Sequence, residues 1–280
     1  MEQIFVDGLK NLHFTGDMVR LNFMHLVPES NSQQTNLQVI MNVQAAISLR
    51  DSLNVLLDKM NVPQTQPLEQ RYNPGIFSVN TIDDAKRIIL TKESQDGSEE
   101  RWRKETPVIM NMLKNGWNLG AGTVVVDYGC GIGRISKELC NLGCHVIGVD
   151  ISPEMRKLAM EYVDNIERFL VVSPEQFEDM ISRGFQADYA CAIWVLQHCL
   201  KPEEDLNRIK NSLKWQGELF VVNNKFSRAV PVKDKVWQND DINIWKLCAD
   251  YLLPMRLFPF PEGVGVDPKY FQCCFYKKVV

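Results

Sequence analysis

From residue 120 onward, apolar runs alternate with amphipathic stretches. Val124, Val125 and Val126 are an unbroken β-branched run, the pattern of a strand covered on both faces. Residues 134–142 place Ile135, Leu139 and Leu142 on one helical face, and Gly143 is suited to ending that helix. A second buried strand is predicted over 144–150. Ser152 and Pro153 then open a helix as N-cap and first residue, with Met155, Leu158, Ala159 and Tyr162 as its apolar face. Further strands are predicted over 169–172, 189–194 and 217–223, separated by helices starting near Ser173 and Pro202. A helix over 240–250 and strands over 251–258 and 270–279 close the chain. Strand and helix in alternation define an α/β, doubly wound sheet.

The first 60 residues follow another pattern. Short β-like runs occupy 3–6, 11–14 and 18–26, with Gly8 and Gly16-Asp17 as turn signals. A polar stretch, 28–34, interrupts them before an alternating strand over 37–43 and an amphipathic helix over 44–60. This reads as a small α+β accessory module, too small to stand alone with much margin, that packs on the main domain or forms a homo-oligomer with a second copy. Residues 61–79 carry prolines at 63, 67 and 74 and few aliphatics, and read as a linker or surface arm. Helices follow over 82–91 and 99–113, with a break at 94–98 and Thr106-Pro107 as a restart or kink. The main domain is expected over 80–280.

Composition narrows the class. The chain has 280 residues, 45% hydrophobic and 24% charged, and a net charge of −4, which gives no reason to expect a nucleic-acid or anionic-membrane surface. The first residues lack the basic and apolar regions of a signal peptide, and no apolar run approaches a membrane span. Eight cysteines form no C-x-x-C pair, which argues for free thiols in a reducing, cytoplasmic setting and against a zinc site. His13 and His25 are isolated, with surface or core roles.

The candidate chemistry lies in Asp127-Tyr128-Gly129-Cys130-Gly131-Ile132-Gly133-Arg134, directly after the valine strand. A strand, a glycine turn and a helix let a nucleotide-like ligand approach bare backbone at the carboxyl edge of a sheet. A dinucleotide fingerprint, G-x-G-x-x-G, wants glycine or alanine at 134, where this chain has Arg. Asp150 ends the next strand seventeen residues after Gly133, close to the offset at which a carboxylate accepts both ribose hydroxyls. Together these residues resemble motif I and its continuation in the class I S-adenosylmethionine (SAM)-dependent methyltransferases, over roughly residues 80–280. The resemblance implies a seven-stranded sheet with the last strand antiparallel, and SAM as cofactor. It implies that Asp127 orients the turn and the methionine amino group, that Gly129, Gly131 and Gly133 make room for ligand, and that Asp150 holds the ribose with Ile151 beside the adenine. Tyr128 and Cys130 fall within the same turn, where packing is the ordinary role of a buried cysteine. The acid that the family often carries after the third strand is replaced by Ser173, leaving Glu175 or Gln176 to read the adenine.

Ligands in such sheets sit beyond the carboxyl ends of the strands, which sorts the remaining candidates. Asp188 precedes its strand and is expected to be structural. Trp194, Gln197 and His198 follow that strand, and Asn223, Asn224 and Lys225 follow the next. Trp237 and Asp240 come later. Tyr72, Phe77, Trp102 and Arg103 are lid candidates, set against plain packing on the sheet's flank. His198 has the ordinary pKa of a general base, and Trp194 is expected to wall the pocket. The strand-four motif Asn-Pro-Pro-Tyr is absent, as is Pro-Cys, so nucleic-acid methylation is not expected. The reading is a SAM-dependent methyltransferase acting on a small-molecule or protein side-chain acceptor. The alternatives are a catalytically silent SAM-binding scaffold or sensor and a nucleotide-dependent oxidoreductase, against which Arg134 counts.

Overall fold

The computed structural model describes residues 8–15, 18–27, 32–42, 44–46, 48–49, 68–90, 97–226, 228–233, 236–264 and 266–279. The chain divides into two compact units, Met1–Gln66 and Pro67–Val280. In the first, β1 (Gly8–Thr15), β2 (Met18–Val27) and β3 (Ser32–Asn42) form an antiparallel sheet in chain order. Gln33 and Gln34 pair with Leu26 and His25, so part of the stretch expected to interrupt the sheet lengthens its third strand instead. The ladder is made by backbone groups, which any side chain supplies equally. Residues 44–46 and 48–49 are helical. The expected strand over 3–6, the helix beyond 49, residues 61–67 and most of the expected break at 94–98 lie outside the described residues.

The second unit opens with α1 (Leu68–Arg71) and a 3-10 turn, Pro74–Phe77, inside the segment read as a linker. Tyr72 bridges Val232, and the Asn73 N–H donates to the Pro231 carbonyl at 3.0 Å, so this part of the segment is tied down by backbone pairing. α2 (Ile82–Ile89) starts at Thr81, whose hydroxyl accepts the Asp84 N–H. α3 (Ser98–Gly116) continues through Pro107, where a restart or kink was expected. The Thr106 hydroxyl donates to the Trp102 carbonyl at 2.7 Å, and burial of Trp102, Glu105, Ile109 and Leu113 holds the helix across the lost N–H bond.

The central sheet is built from β4 (Val124–Tyr128), β5 (His145–Val149), β6 (Phe169–Val172), β7 (Ala187–Ile193) and β8 (Leu213–Asn224), with two later strands. Between them comes a small hairpin that the sequence pattern does not announce, β9 (Val230–Val232) with β10 (Val236–Gln238). β11 (Leu253–Pro259) and β12 (Phe271–Lys277) complete the order β11-β12-β8-β7-β4-β5-β6. β12 runs antiparallel to both neighbours and the remaining pairs are parallel, which is the predicted doubly wound, seven-stranded, Rossmann-like sheet. Alternate strand positions feed two cores. On one face Val125, Val146 and Phe220 meet α3, α4 (Arg134–Asn141) and α5 (Pro153–Val163). On the other, Val126, Ala190 and Val221 meet α6 (Pro174–Ser182), α7 (Pro202–Ser212) and α8 (Ile244–Tyr251). α8 begins four residues later than predicted because Asn243, accepting the Lys246 N–H, is its N-cap. No helix among the described residues is long and apolar enough to cross a membrane.

Candidate functional site

A cavity of about 300 Å³ opens at the carboxyl ends of β4, β5, β6 and β7. Its floor is the glycine turn. Gly129 has φ 73°, and a Cβ there would lie 2.2 Å from the Val195 Cγ2. At Gly131, φ is 55° and a Cβ would meet the Ile89 side chain at 2.6 Å. Both positions need glycine for backbone conformation and for the close approach of neighbouring chain. The Gly129 and Cys130 N–H groups donate to the Val149 carbonyl, which ties the turn to the end of the adjacent strand.

Asp150 sits at that strand end and faces the cavity. Its Oδ2 accepts the Gly131 N–H at 2.8 Å and its Oδ1 accepts the Ser152 N–H at 2.9 Å. Each oxygen keeps a second lone pair, the requirement for accepting a pair of ribose hydroxyls. Burial raises its carboxyl to about 6, against the pull of those two N–H groups. Ile151, Met155, Pro174 and Glu175 continue the wall.

Several expected residues stand elsewhere. Asp127 is buried beneath the turn, where its Oδ2 accepts the Ser136 N–H and hydroxyl at 3.1 and 2.7 Å and its Oδ1 accepts the Cys191 thiol. Burial pushes its carboxyl up, and it does not line the cavity. Its place is explained by α4, whose first N–H groups need an acceptor. Gly133 starts that helix away from the cavity wall, and the buried Cys130 thiol, raised by desolvation, packs beside Gly148. Gln176 is turned back to accept the Ser173 N–H, completing a capping box, so Glu175 and not Gln176 faces the cavity. Tyr128 does line it, donating its hydroxyl to Asp205.

Trp194 and His198 form the far wall with Tyr72, Phe77, Ile88 and Ile89. Trp194 has φ 60°, left-handed for a bulky residue. Its indole packs against Phe260 and edge-on to Phe271, and its Nε1–H donates to the Glu105 Oε1 at 2.7 Å. His198 has both ring nitrogens engaged. The Ala229 carbonyl accepts from Nδ1 at 2.6 Å, leaving Nε2 as the lone pair, which accepts from the Gln197 amide at 3.1 Å. The Asn224 N–H, donating to the Gln197 Oε1 at 2.9 Å, fixes which end of that amide points at the ring. Burial lowers His198 to about 4, so it is neutral at physiological pH.

Gln197, Asn223 and Asn224 therefore brace this loop and do not line the cavity. Lys225 lies over the Phe226 ring, and Asp240 pairs with the buried Arg228 at 3.3 Å. Trp237 lies tilted against His198, at 5.0 Å between rings. Of the four lid candidates, Tyr72 and Phe77 line the cavity. Trp102 and Arg103 line a separate cleft beside Tyr162. Asp188 accepts the Val124 N–H and pairs with Lys214; these outweigh its partial burial and hold its carboxyl below the usual range, a structural role as expected. Sequence reading passed over Glu105, whose only signal is a carboxylate on the same helical face as the apolar residues Trp102 and Ile109. It also passed over Glu204, Asp205 and Arg208, which reach the cavity from α7, and Lys201 at that helix's N-cap. All eight cysteines are free thiols, and among the described residues no group of His, Cys, Asp and Glu is arranged to hold a metal.

A glycine turn, an acid-ended second strand and a single antiparallel strand beside β8 give the Rossmann-like fold that the sequence resemblance implies. Residues 126–221 match a family described as methyltransferase domain. Those residues carry a methyltransferase domain, the class that the sequence resemblance implies. Ubiquinone biosynthesis O-methyltransferase of Xanthomonas oryzae is 27% identical over 150 residues, 52% of this chain and 62% of that one. The protein of that name from a Methylobacterium is 31% identical over 78 residues, 28% of this chain and 31% of that one. The chain thus spans less than two thirds of these relatives' length. In fold it is similar to a putative sarcosine dimethylglycine methyltransferase from Galdieria sulphuraria, with TM-score 0.51 and 14% identity over 70% of this chain and 99% of that one. It is also similar to magnesium protoporphyrin IX methyltransferase from Synechocystis, solved with bound SAH, with TM-score 0.50 and 16% identity over 71% and 95%.

Proposed function

We propose that this protein transfers a methyl group from SAM to an oxygen of a small, largely apolar acceptor. The observation that carries the reading is the single cavity that joins the glycine turn and Asp150 to the wall of Trp194, His198, Phe77 and Tyr72. The residues present fit the cofactor. Asp150 keeps one lone pair free on each oxygen, enough to accept a vicinal diol, and Ile151 and Met155 supply apolar contact beside it. Bound SAM supplies a sulfonium methyl group open to in-line attack. The chain's part is mainly alignment, which can supply on the order of 7–11 kcal/mol. Trp194 and Phe77 exclude water and wall the acceptor. His198 lines the site, and its Nε2 lone pair can accept a hydrogen bond from an acceptor hydroxyl in place of the one that Gln197 now donates.

Oxygen as the accepting atom is favoured by the O-methyltransferases related to residues of this domain. The test is calorimetry with SAM and its demethylated product, on wild type and Asp150→Ala, followed by mass detection of methylated phenols and peptides. Binding lost in Asp150→Ala, with a phenol methylated, supports the reading. SAM bound without turnover of any acceptor would favour the silent scaffold or sensor, and methylated peptides would move the acceptor to protein.

A further inference from the structure

Glu105 lies in the middle of α3, fully buried, and touches no part of the cavity. Its Oε2 accepts Arg101 Nη2 at 2.9 Å, while its Oε1 accepts both Arg134 Nη2 at 3.0 Å and Trp194 Nε1 at 2.7 Å. One oxygen therefore joins the residue that follows the glycine turn to the residue that walls the opposite side of the cavity. Trp194 is also the bulky residue held in a left-handed conformation directly after β7. Such a conformation persists only where surrounding structure over-determines it, and it collects at working sites. The Trp194 N–H donates to the Val222 carbonyl, Phe260 and Phe271 fix two sides of the indole, and Glu105 fixes its polar end. A buried carboxylate between two arginines is no gain in stability over apolar packing, so its presence asks for another account.

We propose that Glu105 is a positioning residue: through the indole N–H of Trp194 and the guanidinium of Arg134, it sets the two sides of the cofactor cavity against each other. The inference rests on the methyltransferase reading above. Removing either end of the Glu105–indole hydrogen bond lets the indole swing from the wall, so SAM binds more weakly although Asp150 and the glycine turn are intact.

The experiment is a double-variant cycle on the full chain with Glu105→Gln, Trp194→Phe and both together. Each protein is titrated calorimetrically with SAM, and its fold is followed by near-ultraviolet circular dichroism and thermal unfolding. Trp194→Phe keeps the ring and removes the N–H; Glu105→Gln keeps an acceptor oxygen and removes the charge that orients it. Each single variant is expected to raise the SAM Kd about tenfold, which is about 1.4 kcal/mol. The double variant is expected to do little more than Glu105→Gln alone, because the indole N–H that Trp194→Phe removes is one that the Glu105 charge holds. The SAM-induced change in tryptophan fluorescence assigned to Trp194 is expected to shrink in Glu105→Gln. A Glu105→Gln protein that melts earlier yet binds SAM as wild type does, with that fluorescence change intact, would reduce Glu105 to a core charge and overturn the proposal. Additive losses would overturn it as well. If Glu105→Gln does not fold, Glu105→Asp, which keeps the charge and draws the carboxylate back from the indole, is expected to weaken SAM binding and shrink the same signal; no change in either overturns the proposal. Failure of the wild type to bind SAM is a different result, and it removes the functional reading along with this one.

Discussion

At single residues, environment decides chemistry more than identity does. Asp150 and Asp127 are both strand-end carboxylates beside the glycine turn, yet one faces the cavity and the other caps a helix. Asp150 carries a testable pH dependence. Its folded carboxyl is raised by burial from 3.8 to about 6, so in the free protein it is protonated below that value while an unfolded chain is still ionised down to 3.8. Stability from this group therefore rises as pH falls from about 6 toward 4, the reverse of a salt-bridged acid. Ribose hydroxyls favour the ionised form, so SAM affinity should fall as pH drops through about 6, by up to tenfold per pH unit. Calorimetry from pH 5 to pH 8 checks this, and Asp150→Asn should bind weakly without that step. A flat profile in the wild type would mean that another group holds the ribose. His198 shows why site chemistry is hard to read from a chain. Its position at the right sheet edge follows from the sequence pattern, but its tautomer is set by Ala229, thirty-one residues on, and its lone pair by Gln197.

At the level of elements, the glycine turn is where local pattern and tertiary contact agree. Gly129→Ala must hold φ near 73° and press a methyl group into Val195, so it should cost about 1–3 kcal/mol in urea unfolding. A variant as stable as wild type would show that the turn relaxes freely. The alternation of strand and helix from 120 to 280 was legible because each strand is a short apolar run and each helix has a clear face and cap. What escaped the pattern was made by distant partners. The 3-10 turn at Pro74–Phe77 follows a residue, Tyr72, that pairs with Val232, and the hairpin carrying that valine has only three residues per strand. Gln176 was misplaced because Ser173 competes for its side chain: the residue that displaced the family's acid also made a capping box. Glu105 was invisible for the same reason, since a carboxylate at a helical position reads as solvent-facing until two arginines from its own and another helix meet it.

For the whole molecule, the division at Gln66 separates chemistry from whatever the first unit contributes. Among the described residues, every one that lines the cavity lies from Tyr72 to Arg208, inside the second unit. That unit also carries both buried cores and all seven strands of the central sheet. A chain of about 210 residues buries enough of its surface to fold alone, whereas a unit of about 65 has far less core to draw on. Residues 67–280 expressed alone should therefore fold cooperatively and bind SAM within about twofold of the full chain, a difference of roughly 0.4 kcal/mol. The three-stranded first unit leaves Met18 and Ile40 partly exposed, and the expectation of self-association rests on this unit. Light scattering then separates the two roles: a full chain of dimer mass beside a monomeric 67–280 assigns association to the first unit. A dimeric 67–280 moves it to the methyltransferase domain. Loss of SAM binding in a folded 67–280 would mean that the cavity is completed from outside its own unit, and the separation of roles drawn here would not hold.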